Sequence, residues 1–303
     1  MTTATAAPTI LKSLLFVPGD SEKKMAKALA TAASAVILDL EDAVAVDRID
    51  IARGMVNEFL ASHRDRSRQQ LWVRVNPLDG PLALADVVGV VRGGPDGIIL
   101  PKIESADDIV TLDRYLTALE ARDGVAPGSI RIIPVATETP HAMFAIGSYR
   151  GVSARLAGLT WGAEDLSTAV GASTNRLDSG EYEFTYQLAR SLCLLGATTA
   201  GVQAIDTITP DFRDRERLVR EVRISRRAGF TGKIAIHPDQ VDGINAGYAP
   251  DDEEVRHATA VVDAFERAGG AGAVQLEGKM LDKPHLTQAL RVLALAGGAV
   301  MPK

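Results

Sequence analysis

Eight short apolar runs in this 303-residue chain are each followed by residues able to do acid–base, metal or anion chemistry. They lead into Pro18-Gly19-Asp20, Asp39-Leu40-Glu41-Asp42, Arg74-Val75-Asn76, Pro101-Lys102-Ile103-Glu104, Glu138, Gly162-Ala163-Glu164-Asp165, Asp206 and His237-Pro238. Carboxylates dominate. Gathered in one place they repel one another and resist ionisation unless a cation neutralises them. An all-oxygen donor set favours Mg²⁺, with Mn²⁺ as its substitute, over zinc. Glu138 and Asp165 form the best pair of direct ligands, because each lies just past a strand end and the two strands are consecutive. The competing reading makes them helix N-terminal carboxylates favoured by the helix dipole. Glu41 and Asp42 suit a place behind the metal, acting through its bound water.

Arg74 ends the apolar stretch Trp72-Val73-Arg74-Val75-Asn76-Pro77, where an unpaired cation is costly, so it must face an anion. Its planar fork fits a carboxylate held by two bonds, either that of an α-keto or hydroxy acid or that of Glu41 or Glu104 in a structural ion pair. A strand-end lysine such as Lys102 can form a Schiff base with a keto acid, but neighbouring Glu104 favours a charged amine in a salt bridge. His237 is either a ligand contact or a cap to the next helix. His63, His141, His257 and His285 fall in helical or loop settings, and no Ser-His-Asp arrangement can be built from them. Cys193 is the single cysteine, which excludes an internal disulfide and any Cys-rich zinc site; it reads as helix packing.

Strand ends act together only if the strands share one sheet. Candidate strands at 14–17, 35–40, 71–76, 97–100, 131–136, 156–161, 199–204 and 233–236 alternate with helical segments, the pattern of parallel βα units. Several are apolar almost throughout, as burial on both faces requires. Eightfold alternation at this length predicts a (β/α)₈ TIM barrel, whose active site lies at the C-terminal ends of the strands. No GxGxxG follows the first strand to support an open dinucleotide-binding sheet. Asp20-Ser21-Glu22 opens a helix expected to run to Ala33, and Ser105-Ala106-Asp107-Asp108 one expected to run to Leu119. The barrel is expected over 1–238 and a C-terminal helical lid appendage over 239–303. That appendage comprises a helix from Pro250-Asp251-Asp252, a stop at Gly269-Gly270, a short segment at 273–282 and a last helix from Pro284 to about Leu295.

Hydrophobic residues at 46% and charged residues at 24% give material for a large core and no sign of global disorder. A net charge of −6 argues against a surface built wholly for nucleic acid. The opening MTTATAAPTI lacks a charged-then-apolar leader, and no run reaches about 18 apolar residues, so a cytoplasmic protein without a membrane partner is expected.

Residues 13–19 (SLLFVPG), 38–43 (LDLEDA), 74–77 (RVNP), 100–104 (LPKIE), 162–166 (GAEDL) and 232–238 (GKIAIHP) together resemble the citrate lyase beta-subunit-like group. That group belongs to the aldolase/citrate lyase superfamily, with malyl-CoA and citramalyl-CoA lyases. The resemblance implies Mg²⁺ on Glu138 and Asp165, substrate carboxylate or keto group at Arg74, and CoA near the loop after the first strand, with Lys12, Pro18, Lys23 and Lys24 as candidate contacts. Lys12 stands where arginine is common in the group. Pyruvate aldolases of the superfamily carry a histidine after Asp-x-Glu where this chain has Asp42, which weakens a simple aldolase reading. The segment Gly278-Lys279-Met280-Leu281-Asp282-Lys283-Pro284 resembles the lid of the CoA lyases, although Glu277 replaces the usual aspartate before the glycine.

The implied reaction is reversible cleavage of a malyl-, citramalyl- or citryl-type β-hydroxyacyl-CoA to acetyl-CoA or a homologue plus an α-keto acid. Asp282 of a neighbouring chain in a homo-oligomer, a trimer, is the candidate proton donor to the departing enolate; its alternative role is to cap the final helix. Two other outcomes are a subunit that binds a CoA or carrier-protein thioester and works only in a larger citrate-lyase-type complex, and thioester hydrolysis at the same site.

Overall fold

The computed structural model describes residues 10–269 and 271–297. Eight strands, β1 (Ser13–Pro18), β2 (Ala35–Asp39), β3 (Gln70–Arg74), β4 (Gly97–Leu100), β5 (Arg131–Pro134), β6 (Gly158–Leu159), β7 (Gln203–Asp206) and β8 (Gly232–Ala235), pair in the order β5-β4-β3-β2-β1-β8-β7-β6. Every pairing among them is parallel. Parallel bridges Ile132↔Leu156 and Val135↔Thr160 join the two ends, with Ala136 N–H donating to the Thr160 carbonyl at 2.7 Å, so the sheet closes into the expected barrel.

Side chains of a strand alternate between its faces, and one set fills the barrel. Leu14, Ile37, Trp72, Ile99, Ile133, Ile205 and Ile234 form that interior cluster. A Cβ on Gly97 would lie 2.2 Å from the Trp72 ring, so the largest interior side chain fits because the adjoining strand carries none at that position. Two residues beyond Ile37 and Trp72, on the same face, stand Asp39 and Arg74, which are register partners at the C-terminal ends of β2 and β3.

Helices connect the strands. Ser105 and Asp108 form a capping box at the start of helix Ala106–Asp123, which runs past the expected Leu119 to a left-handed Gly124. The helix expected to reach Ala33 ends at Leu29. The strand expected at 199–204 lies at Gln203–Asp206; Thr199 and Ala200 instead finish helix Phe184–Ala200, which Gly201 stops at φ 69°. The β-branched Thr198-Thr199 pair imitates a strand there. Cys193 is buried within that helix, as expected.

The chain divides into two compact units, Leu11–Ile244 and a second that includes the residues from Asn245 onward. The second contains helix Asp252–Arg267, capped by Asp251 and Glu254, then β9 (Ala273–Leu276), β10 (Lys279–Asp282) and helix Lys283–Gly297. The segment 273–282 is an antiparallel hairpin whose turn residues Glu277 and Gly278 both have positive φ, the hairpin geometry that matches strand twist. Ala258, Val261, Phe265, Leu281 and Ala289 make its core. No helix among the described residues is long and apolar enough to cross a membrane.

Candidate active site

The barrel mouth is organised around Asp39. Its buried carboxylate accepts the backbone N–H groups of Glu41 at 3.1 Å and Ala43 at 3.0 Å, which bends the loop after β2 back over the strand end. The same carboxylate takes both prongs of Arg74, Nε at 2.6 Å and Nη2 at 2.7 Å. Arg74 Nη1 lies 2.7 Å from Glu41 and 3.4 Å from Asp42, while the guanidinium stacks over Phe16 at 4.6 Å. Burial alone would lower the arginine's pKa, but Asp39, Glu41 and Asp42 raise it. The fork expected to face a substrate carboxylate, Glu41 or Glu104 is thus engaged by Asp39, while its remaining edge makes the expected contact with Glu41.

Lys102 follows β4 and has a left-handed φ of 50°. Its N–H donates to Glu138 Oε2 at 2.6 Å, and its ammonium lies 2.5 Å from Glu41, 3.3 Å from Asp165 and 3.5 Å from Asp42. Burial opposes the charge, yet these carboxylates raise the amine's pKa. A Schiff-base lysine must be neutral to attack, so Lys102 is poorly suited to that chemistry. Glu104, its expected partner, lies instead near His141 at 3.6 Å.

Glu138 follows β5 and precedes Thr139, the residue that caps helix Pro140–Ala145, so it is not a first-turn helix carboxylate. Gly162 makes room for it: a Cβ there would lie 2.9 Å from Glu138 Cγ. Burial and the charge of Asp165 push the Glu138 carboxyl up to about 8, against the pull of the Lys102 N–H. Asp165 sits in the first turn of the short helix Glu164–Ala169. Burial likewise pushes Glu41 up to about 7, although Arg74 and Lys102 draw it down. These oxygen donors fit a hard cation: the charge of Asp165 raises the cost of ionising Glu138, and a divalent ion removes it. Among the described residues no group of three or more His, Cys, Asp or Glu side chains is placed to hold a metal ion, and the candidate protein donors here are two, Glu138 and Asp165.

Other expected residues lie elsewhere. Pro18 ends β1 at the mouth, and Lys23 and Lys24 are exposed in the first turn of helix Glu22–Leu29. Lys12 precedes β1 and so stands at the opposite end of the strand, about 17–20 Å away along its six residues; its backbone pairs there with Ser34 and Lys233. Asp206 turns to the helical side because Ile205 takes the interior; Arg190 binds it at 3.1 Å and Trp161 Nε1 at 2.7 Å. Burial alone would raise it, but Lys233 and Arg190 hold Asp206 down at about 2. His237 caps the turn that follows, its Nδ1 accepting from Asp239 N–H at 3.2 Å, and it stacks on Phe212. In the second unit Asp282 ends β10, exposed, with His285 Nδ1 2.5 Å from its carboxylate. Period-two counting from Ile37 could have found the role of Asp39; nothing in the local sequence announced the left-handed Lys102.

A closed parallel barrel with an acidic, arginine-anchored mouth defines the class. The family model described as HpcH/HpaI aldolase/citrate lyase matches residues 12–238, and the chain belongs to that family of carbon–carbon lyases. It is 36% identical over 287 residues to citrate lyase subunit beta of Escherichia coli (strain K12), covering 94% of this chain and 93% of the relative. It is 31% identical over 300 residues to the mitochondrial citramalyl-CoA lyase of Rattus norvegicus, covering 94% and 86%. Among solved structures it resembles CitE of Mycobacterium tuberculosis in complex with magnesium, acetoacetate and coenzyme A, with a TM-score of 0.76, 31% identity and coverage of 96% and 99%.

Proposed function

We propose that this protein is a Mg²⁺-dependent carbon–carbon lyase that reversibly cleaves a malyl-, citramalyl- or citryl-type β-hydroxyacyl-CoA into acetyl-CoA or a homologue and an α-keto acid. The observation that carries this reading is the pair of carboxylates, Glu138 and Asp165, beside Lys102 and Arg74 at the mouth of a closed barrel. The magnesium, acetoacetate and coenzyme A bound to the mycobacterial relative support the same chemistry here. Glu138 and Asp165 would hold the metal. When bound, it supplies positive charge to the oxygen on the carbon from which the thioester fragment departs.

The chain's own residues have separate tasks. Asp39 fixes Arg74, so the guanidinium is already oriented, and its Nη1, which meets Glu41 in the free site, would be shared with or ceded to the acid portion of the substrate. Glu41 and Asp42, which share the Lys102 ammonium with Asp165, would stand behind the metal ligands from the loop after β2. As the carbinol C–OH becomes the keto C=O its proton passes to solvent, and the electron pair of the broken carbon–carbon bond leaves on the thioester fragment as an enolate, which must be protonated on carbon. We assign that proton to Asp282 of a neighbouring chain in a cytoplasmic homotrimer. Pro18, Lys23 and Lys24 flank the side on which the CoA moiety would lie, the lysines facing its phosphates.

The test is incubation of the purified protein with Mg²⁺, acetyl-CoA or propionyl-CoA, and glyoxylate, pyruvate or oxaloacetate in turn, read by mass spectrometry. A condensed acyl-CoA in at least one pairing is expected. Free CoA without condensation would replace the lyase by a thioesterase, and CoA binding without turnover would make the chain a subunit dependent on a complex.

A further inference from the structure

Lys102 touches both halves of the carboxylate pair in different ways. Its main chain donates to Glu138, whereas its ammonium lies 3.3 Å from Asp165 and 2.5 Å from Glu41. Lys102 makes these contacts at a φ of 50°, a conformation that disfavours residues with a Cβ and suits glycine or asparagine. A lysine held there against its backbone preference points to a need for the ammonium itself.

The charge count identifies that need. Asp39, Glu41, Asp42, Glu138 and Asp165 contribute five negative charges if all ionise, while Arg74 and Lys102 contribute two positive ones, leaving three negative. Arg74 has both prongs on Asp39. Lys102 is therefore the cation placed against Asp165.

We infer that Lys102 is the internal counter-ion of the metal site: its ammonium competes with the divalent ion for Asp165, and metal binding is an exchange in which the lysine releases Asp165 and keeps Glu41. This inference rests on the reading of Glu138 and Asp165 as ligands. Like charges about 4 Å apart repel substantially even near a surface, so the lysine holds metal affinity below what the bare carboxylates would reach. It also holds those carboxylates in place whenever the ion leaves. Lys102 is thus a positioning residue, and its signature is unusual: removing it tightens metal binding while catalysis falls. A brace with no electrostatic role would leave affinity unchanged or weaken it.

The test titrates metal-stripped, full-length protein with Mn²⁺ by calorimetry at fixed pH and ionic strength. Wild type is compared with Lys102→Met, Lys102→Asn and Lys102→Arg. Asparagine tolerates the left-handed backbone, so the charge is removed without the main-chain strain that methionine retains. The neutral variants should bind Mn²⁺ about tenfold more tightly or better, with lower kcat, and Lys102→Arg should stay near wild type. Unchanged or weaker binding by folded Lys102→Asn overturns the inference. No Mn²⁺ binding by wild type would instead remove the metal-site reading on which it rests.

Discussion

Arg74 grips Asp39 through two nearly equal hydrogen bonds, 2.6 and 2.7 Å, across the register pair that ends β3 and β2. Asp39 in turn accepts two backbone N–H groups from the loop that carries Glu41 and Asp42. The arginine therefore anchors the acidic loop as well as supplying charge, and a substitution must be judged on both.

Arg74→Lys keeps the charge but loses the two-pronged geometry. Loss of one charge-assisted bond costs about 1.5–3 kcal/mol, or roughly ten- to over a hundredfold in kcat/KM. Because Asp39 is buried, the melting temperature should fall as well. Steady-state kinetics and thermal unfolding check both; near wild-type kinetics with a lower melting temperature would assign Arg74 to structure alone.

Glu138→Gln and Asp165→Asn should each weaken Mg²⁺ or Mn²⁺ binding by at least about tenfold and abolish turnover without unfolding the barrel. EDTA should silence the wild type, and added Mg²⁺ should restore it. Full turnover by metal-free protein would sink the assignment.

The raised carboxyls give a pH dependence with a definite sign. Glu138 moves from an ordinary 4.5 to about 8 and Glu41 from 4.5 to about 7, so between these limits the folded chain binds more protons than the unfolded one. Metal-stripped protein should accordingly lose stability as pH rises from about 4.5 to 8. A metal held by Glu138 would displace that residue's proton, so its affinity should increase across about pH 6 to 8. Thermal melts with and without Mg²⁺ at several pH values test this; a metal-induced increment that shrinks with rising pH would contradict it.

If Asp282 acts in a neighbour's site, Asp282→Asn and Glu138→Gln oligomers should each be nearly inactive. Dissociated, mixed and reassembled, they should recover part of the activity, because some sites then combine one intact residue from each chain. Hetero-oligomers confirmed by mass that stay inactive would confine Asp282 to its contact with His285 at the start of the last helix.

Strand order and the acidic mouth were legible because both follow from alternation, and alternation is local. Partner choice was not. Of the two expected ion-pair partners Arg74 meets Glu41 and not Glu104, and its main partner is Asp39, because of register between β2 and β3, which only the sheet determines. Asp206 could have been read correctly: with Ile205 interior, its neighbour must face the helices. Lys12 could have been too, since a residue before a strand cannot share the mouth with those after it. The φ of Lys102 is a tertiary imposition that its residue type argues against.

The tryptophan laid across Gly97 makes the barrel a vessel with a floor. Below Asp39 and Arg74 the interior is solid hydrocarbon, so small molecules come and go through one opening. A site of that shape is a blind alley, and whatever lodges against Arg74 leaves by the way it came.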